Sequence, residues 1–444
     1  MDAPKECATI PVIEAGGRVE VPLYGLFNDR ILDVTEATKA VAEVSLYVGA
    51  DLSANRSATV LVYDRNALTW SDDRKAAAFV SAKDPWVMDL TGNILASVKG
   101  ERNPGLSKNL QTGMAIHEGL RAYGMAYVLS PNRPFAKDVV DPEIVDTLKF
   151  PRQTLNFRSG DCADLSVLYA SCLESAGIET AFVTVPGHIF IAFDLGLEKD
   201  EIEARRLVPG SFIEVGGKAW VPLETTLRES DFVEAWARGA EEWRASEAKG
   251  VAAFYPIREA WKDYGPVGLP ANGTSVVPPP ADSVRKSFAA VLSKAVDAEL
   301  APGLASLGSI DPKSQADVKK MNGRGILHAR YGRLDEAEKD FRSAAALNFL
   351  PALLNLGTLS MLKSDYLRAI DSFNKAISLE PRNAKAFFGL SKALAAIGKD
   401  AESKAALEMA RDIDPTAAKG EGAAAKAPAT GSRETEAEAT IEWL

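Results

Sequence analysis

The sequence predicts a multidomain protein with an N-terminal β module, an α+β core and a C-terminal all-α array of helical repeats. Three observations predict this arrangement. Alternating apolar runs fill residues 8–70, a cysteine-led helix is followed by strands over residues 162–223, and a self-similarity at a 34-residue shift runs through residues 314–415. A length of 444 residues accommodates more than one such unit.

GRVEVPLYG (17–25), AEVSLYV (42–48) and SATVLVYD (57–64) alternate or run apolar between Gly, Asn and Asp turns, so residues 8–70 read as a β-rich module. From Ser71 the pattern turns helical, through DDRKAAAFV (72–80), DPWVMDLTGNILASV (84–98) and a long segment from Ser107 to Val128. His117 lies on the last of these with no cysteine or acid pattern beside it, and reads as a surface or packing residue.

After Cys162, the apolar positions Leu165, Leu168, Tyr169, Cys172, Leu173 and Ala176 recur at three- and four-residue steps, one face of a helix. Ser159, Gly160 and Asp161 supply turn and N-cap chemistry before it, and Gly177 stands where a C-cap belongs. TAFVTVP (180–186) reads as a strand. His188–Asp194 alternates, with His188, Phe190, Ala192 and Asp194 on one face. In FIEV-GG-KAWVPLETT (212–226), Gly216–Gly217 is a two-residue hairpin signal. DFVEAWARGAEEWRASEA (231–248) is a helix with Trp236 and Trp243 on one packing face. Residues 265–283 are Pro/Gly-rich and read as a linker. VRKSFAAVLSKAVDAEL (284–300) is a further helix, ended by a Gly/Pro break near 302–312. The expected spans are 8–70, 71–264 for the core, 265–313 for the linker and helix, 314–415 for the repeats, and 416–444 for an Ala/Gly/Lys/Glu-rich disordered tail.

Cys162 and His188 are the residues with chemistry to offer. A cysteine attacks as thiolate, so it wants the positive end of a helix and an imidazole to take its proton. Cys162 stands in the first turn of its helix, where unsatisfied N–H groups favour an anion. His188 follows Pro186–Gly187 at a strand entrance. A base also needs an orienting partner. Asp194 shares the face of His188 but is roughly 20 Å away along a regular strand. Glu224, ending the second strand of the next hairpin, is the better placed carboxylate. Cys172 lies on the buried stripe and reads as a small core hydrophobe; Cys7 has no partner signal.

SGDCADL, a helix, a strand carrying PGH and then WVPLET together resemble the transglutaminase-like superfamily of cysteine enzymes, over roughly residues 110–230. FPRQTL (150–155) and the helical stretch upstream also look like its bacterial members. The resemblance implies a papain-like core with Cys162 as nucleophile, His188 as base and Glu224 as the third member. The family usually carries aspartate in the W-x-x-x-D-x-T position, whereas here Trp220 is followed by Glu224, whose extra methylene changes its reach.

In the C-terminal part, PALLNLGTLSMLKSDYLRAIDSFNKAISLEP aligns with AFFGLSKALAAIGKDAESKAALEMARDIDP, Pro381 onto Pro415. Gly325, Ala337 and Phe341 mark an earlier, slightly shorter copy of Gly357, Ala369 and Phe373. These copies resemble tetratricopeptide repeats, in which small residues let two antiparallel helices pack closely. Ser391 and Ser403 depart from the usual Gly and Ala, and the first copy lacks a terminal proline. Three copies suffice for a stacked core, and such arrays bind peptides or proteins. His328, within the first copy, reads as packing.

Composition narrows the partners. A net charge of −10 excludes a phosphate-backbone binder, so no nucleic acid is expected. No apolar run approaches the ~20 residues of a membrane span. Three histidines and three cysteines, with no C-x-x-C, give neither a zinc site nor a disulfide framework. No cofactor or metal is expected. MDAPKECATIPV is not a signal peptide. Its quick entry into strand-like sequence fits a removed leader, which would imply the periplasm or secretion, or an excised fragment; the compartment stays unassigned. Two functions stay open. One is a cysteine enzyme acting on amide or acyl bonds of a protein or peptide, hydrolysis before cross-linking, with the repeats as a protein-binding array. The other is a scaffold whose repeats bind partners and whose enzyme-like domain is degenerate.

Overall fold

The computed structural model describes residues 6–10, 12–22, 27, 29–129, 144–197, 210–270, 273, 275–416 and 443–444. The chain forms two compact units. One comprises Met1–Ser97, Ala115–Lys199 and Val208–Val284, the other Val98–Met114, Asp200–Leu207 and Arg285–Leu444.

The first unit opens with a sheet region that is a single hairpin, Thr38–Val48 antiparallel to Asp51–Val62. Gly49, at φ +62°, makes its tight turn. Both strands are largely exposed, with Val41, Leu46 and Leu61 open to solvent. GRVEVPLYG forms no strand over its described residues 17–22. Its alternation matches that of the hairpin strands, but alternation reports a tendency to extend and not a pairing partner. The helical stretch after Ser71 forms as a 3₁₀ helix, Asp73–Phe79, capped by Asp72, then Pro85–Ser97 and Lys108–Tyr123.

The mixed α/β middle is built on a five-stranded antiparallel sheet in the order Ala253–Pro256, Thr180–Val185, His188–Asp194, Lys218–Leu223, Ile213–Val215. Val185 pairs with His188 across Pro186–Gly187, and Val215 pairs with Lys218 across Gly216–Gly217. Both glycines of the second turn have positive φ, +64° and +75°, as a type I′ turn requires. Phe190 and Ala192, on the face of His188, pack with Trp220 and with Trp243 of the Phe232–Glu247 helix. Ile189, Ile191 and Phe193, on the other face, are fully buried. The Cys162–Ser175 helix meets the His188 strand through Ser166, whose hydroxyl donates to the Ile189 carbonyl at 3.3 Å. That helix was expected to bury one stripe; instead every residue from Ala163 to Glu174 is buried. A helix enclosed on all sides keeps its polar residues by giving them partners, as Ser166 and Ser171 show.

The start of the Pro/Gly-rich stretch docks instead of hanging free. Val267 N donates to the Ala78 carbonyl at 2.7 Å, and buried Arg152 donates to the Pro270 carbonyl at 2.7 Å.

In the second unit, the helix after the linker runs Ala281–Leu307, straight through Pro302, where a break was expected. Gly308, with φ +63°, follows its last residue. The C-terminal helices form three successive pairs: Val318–Arg330 with Leu334–Ala346, Leu350–Leu362 with Tyr366–Leu379, and Ala384–Ala396 with Asp400–Ile413. Glycine makes the close approach possible. A Cβ on Gly325 would fall 2.6 Å from the Phe341 ring, and Cβ atoms on Gly357 and Gly389 would fall 2.6 and 2.4 Å from that of Phe373. In the last pair the departing serines answer each other, Ser403 Oγ donating to the Ser391 carbonyl at 2.9 Å. Most of the tail, residues 417–442, lies outside the described residues. Trp443 and Leu444 are described, and they pack on the repeats rather than remaining disordered. Among the described residues, no helix is long and apolar enough to cross a membrane.

Candidate active site

Cys162 is the first residue of its helix and is partly exposed. The local sequence fixes this placement. Asp161 is the N-cap, accepting hydrogen bonds from Ala163 N and Asp164 N at 3.0 Å each, and Asp164 reaches back to Asp161 N at 3.1 Å. This reciprocal cap satisfies three backbone donors and aims the opening turn. Gly160 is required beside it, because a Cβ there would fall 2.6 Å from Asp164 Cβ. Burial, then the neighbouring Asp164 charge, raises the Asp161 carboxyl to about 6.

His188 enters its strand at the Pro186–Gly187 turn and reaches two of the expected partners. Its Nε2 lies 2.6 Å from Glu224 Oε2, and the Cys162 side chain is near enough to act on the charge of its ring. Glu224 is buried and held from its other oxygen, Oε1, which accepts from Thr226 N at 2.8 Å and Thr226 Oγ1 at 2.6 Å. Burial alone would lower the His188 pKa, but Cys162 and Glu224 outweigh it and lift His188 to about 10. Burial pushes Glu224 up, and its bond to His188 more than reverses that, so its carboxyl is lowered. The pair is an imidazolium and a carboxylate at neutral pH.

Asp194 is remote from this cluster, paired with Lys218 Nζ at 2.9 Å. Cys172 is fully buried, and burial pushes its thiol up to about 12. His117 is also fully buried, between the Tyr169 hydroxyl and the Ser230 carbonyl at 3.1 Å each, and burial holds it well below 6.5. His328 bonds Asp340 at 3.1 Å within the first repeat. Cys7 is exposed.

One residue of the cluster was not anticipated. Glu242 Oε2 lies 3.7 Å from His188 Nε2 and is buried with no hydrogen-bond partner, while Oε1 is met by Arg238 at 3.0 Å. Burial, then the charge of Glu224, raises its carboxyl. Its position follows from Gly239, where a Cβ would fall 2.8 Å from the Pro222 carbonyl oxygen, so the helix lies directly on the strand and brings Glu242 to His188. A close-packing glycine three residues before an acid is the only sequence trace of this. The donor atoms of His188, Glu224 and Glu242 all lie within 4.8 Å of one another, close enough to share a cation. The 2.6 Å separation of His188 and Glu224 is that of a charge-assisted hydrogen bond, shorter than the ~3.3 Å between two ligands on a tetrahedral metal at ~2.0 Å each.

Residues 350–383 match the tetratricopeptide repeat family. No curated protein matches the chain. Among solved structures, the chain is similar to the Yersinia enterocolitica type III secretion translocator chaperone SycD, at 20% identity over 24% of this chain and 81% of that one, with a TM-score of 0.22. It is also similar to MamA protein, at 20% identity over 31% of this chain and 73% of that one, with a TM-score of 0.23.

Proposed function

We propose that residues 71–264 form a transglutaminase-like cysteine enzyme domain with a papain-like core, acting on amide or related acyl bonds of a protein or peptide. The observation that carries this reading is the hydrogen bond of 2.6 Å from His188 to buried Glu224, with Cys162 at a helix start acting on the charge of the same ring. A thiol, an imidazole and a carboxylate gathered in that order are what nucleophilic acyl transfer requires.

In this mechanism the Cys162 thiolate attacks the carbonyl carbon while His188 holds the proton. The carbonyl π pair moves onto oxygen, where the backbone N–H of Cys162 itself, at the start of the helix, stabilises it, since the next two N–H groups serve the Asp161 cap. Collapse of the tetrahedral adduct breaks the C–N bond, and His188 gives its proton to the departing amine. A thioester on Cys162 remains. Water then attacks, losing a proton to His188, and the thiolate is released with the acid product. Glu224 keeps the imidazole oriented and its cation stabilised throughout. Hydrolysis is preferred to cross-linking because no acyl-acceptor site is recognisable among the described residues. Rapid acid quenching of the full chain with a panel of peptides, including cell-wall stem peptides, tests this by mass spectrometry. The reading expects an acyl adduct on Cys162 that Cys162→Ala removes; turnover undiminished in Cys162→Ala would overturn it.

The repeats supply the second element, a protein-binding array over residues 314–415. The family match at residues 350–383 also favours the rival reading, a scaffold in which the array does the work and the thiol domain is degenerate. A reactive thiol at Cys162 separates the two.

A further inference from the structure

The inner surface of the first two repeats already holds a short stretch of peptide, and it belongs to this chain. Asn322 and Asn355 sit on the first helices of successive repeats and are both buried. Asn355 Nδ2 donates to Asn322 Oδ1 at 3.0 Å, tying the two side chains together. Together they grip the backbone of Leu444. Asn322 Nδ2 and Asn355 Nδ2 each donate to Leu444 O at 2.6 Å, and Leu444 N donates to Asn355 Oδ1 at 2.8 Å. Trp443 stacks on Phe341 with ring centroids 5.7 Å apart, and Leu444 packs on the apolar cluster around Leu353 and Leu354.

Two buried asparagines on the first helices of neighbouring repeats are costly unless their amides are satisfied. Here a peptide backbone satisfies them, read through both its N–H and its C=O, while two apolar surfaces read the adjoining side chains. We propose that this groove is a recognition site for a peptide carrying an aromatic–leucine pair, and that the chain's own Trp443–Leu444 occupies it until such a partner displaces it. The array therefore selects partners by the chemistry of its own resident pair: an aromatic ring and a following leucine whose backbone the asparagines hold. The pair is joined to the last repeat through residues 417–442. As part of the same chain, the pair competes at an effective concentration on the order of 1 mM, so an outside peptide of similar intrinsic affinity near 0.1 mM would be weakened about tenfold.

The proposal deepens the array half of the proposed function and rests on it; it draws nothing from the thiol chemistry. The test is fluorescence anisotropy with a fluorescein-labelled EAEATIEWL peptide and the full chain. Wild type is expected to bind weakly, and the double variant Trp443→Ala/Leu444→Ala about tenfold more tightly. Adding Asn355→Ala to that variant should cost at least tenfold, and a labelled EAEATIEAA peptide should not bind. Equal affinity of wild type and the double variant would overturn self-occupancy, as would a wild-type dimer that the double variant breaks, since the pair would then belong to a second copy. Indifference to Asn355→Ala would overturn the groove. Binding of unrelated peptides on a peptide array, with no preference for the aromatic–leucine pair, would also overturn the groove and leave the array reading standing. No peptide bound at all would sink both.

Discussion

Replacing Glu224 with glutamine removes a carboxylate charge 2.6 Å from His188 Nε2 while keeping a side chain of the same shape. His188 stands at about 10 because Cys162 and Glu224 outweigh burial, which favours the neutral ring. An opposite charge at this range accounts for roughly 1–3 pKa units, or about 1.4–4 kcal/mol of preference for the imidazolium. The His188 midpoint in Glu224→Gln should fall by that amount, to roughly 7–9. An NMR titration of the histidine rings reads it directly, since the chain has only three histidines and burial keeps His117 neutral. Stability follows with a definite sign. In the wild type the His188 contribution is complete below the unfolded value near 6.5 and is lost as pH rises through about 10. In the variant it is smaller and is lost at lower pH. The stability gap between the two proteins should therefore be widest in mildly acid solution, above the titration of Glu224, and should close toward pH 10. A His188 midpoint that does not move, or a gap that widens with pH, would refute the assigned electrostatics.

Three further outcomes are expected. Glu242→Gln removes a carboxyl whose pKa is raised by burial and by Glu224, so stability is lost as pH rises from the ordinary value of 4.5 toward the higher folded one. The variant should gain roughly 1 kcal/mol at pH 7 and lose that advantage at pH 4 in chemical denaturation, and an equal effect at both would contradict the sign. Cys172→Ala removes a fully buried thiol from the central helix and should cost about 1–2 kcal/mol while leaving the alkylation rate of Cys162 unchanged; a slowed Cys162 would mean the wrong cysteine was chosen. Gly389→Ala puts a Cβ 2.4 Å from the Phe373 ring, which Gly357 already confines on its other side, so the ring has no retreat. Overpacking of about 1–3 kcal/mol should exceed the ~1 kcal/mol gained in helix propensity, and circular dichroism should show the helical array melting earlier. A later melt would show that the ring has room to move.

How far the sequence could be read depended on whether the deciding contact was local. The start of the Cys162 helix was legible because Asp161, Gly160 and Asp164 are cap residues whose partners lie within three positions. Glu224 could be preferred to Asp194 because strand geometry fixes distances along a chain, and the Gly216–Gly217 turn fixed the register of the next hairpin. The Gly325, Gly357 and Phe373 pattern announced the repeats for the same reason: a small residue facing a ring at a constant spacing is a local packing rule written several times. Glu242 was not legible, since its approach to His188 depends on one helix lying on one strand at Gly239, a contact with no signature beyond a single glycine. GRVEVPLYG misled because alternation reports a tendency and not a partner. Pro302 misled because a proline within a long helix removes one hydrogen bond, a loss that the turns on either side can absorb. Trp443 and Leu444 were hidden in a tail whose composition speaks against packing, although two residues with matching pockets were enough.

The central claim is that Cys162 is a thiol activated by His188, and its alkylation by iodoacetamide as a function of pH tests that most directly. The chain carries its own references, exposed Cys7 and buried Cys172. Peptide-resolved mass spectrometry at pH 6 should find Cys162 modified faster than Cys7, Cys172 untouched, and the advantage of Cys162 abolished by His188→Ala. A Cys162 that reacts no faster than Cys7 at pH 6, or one whose rate His188→Ala leaves unchanged, would contradict the account.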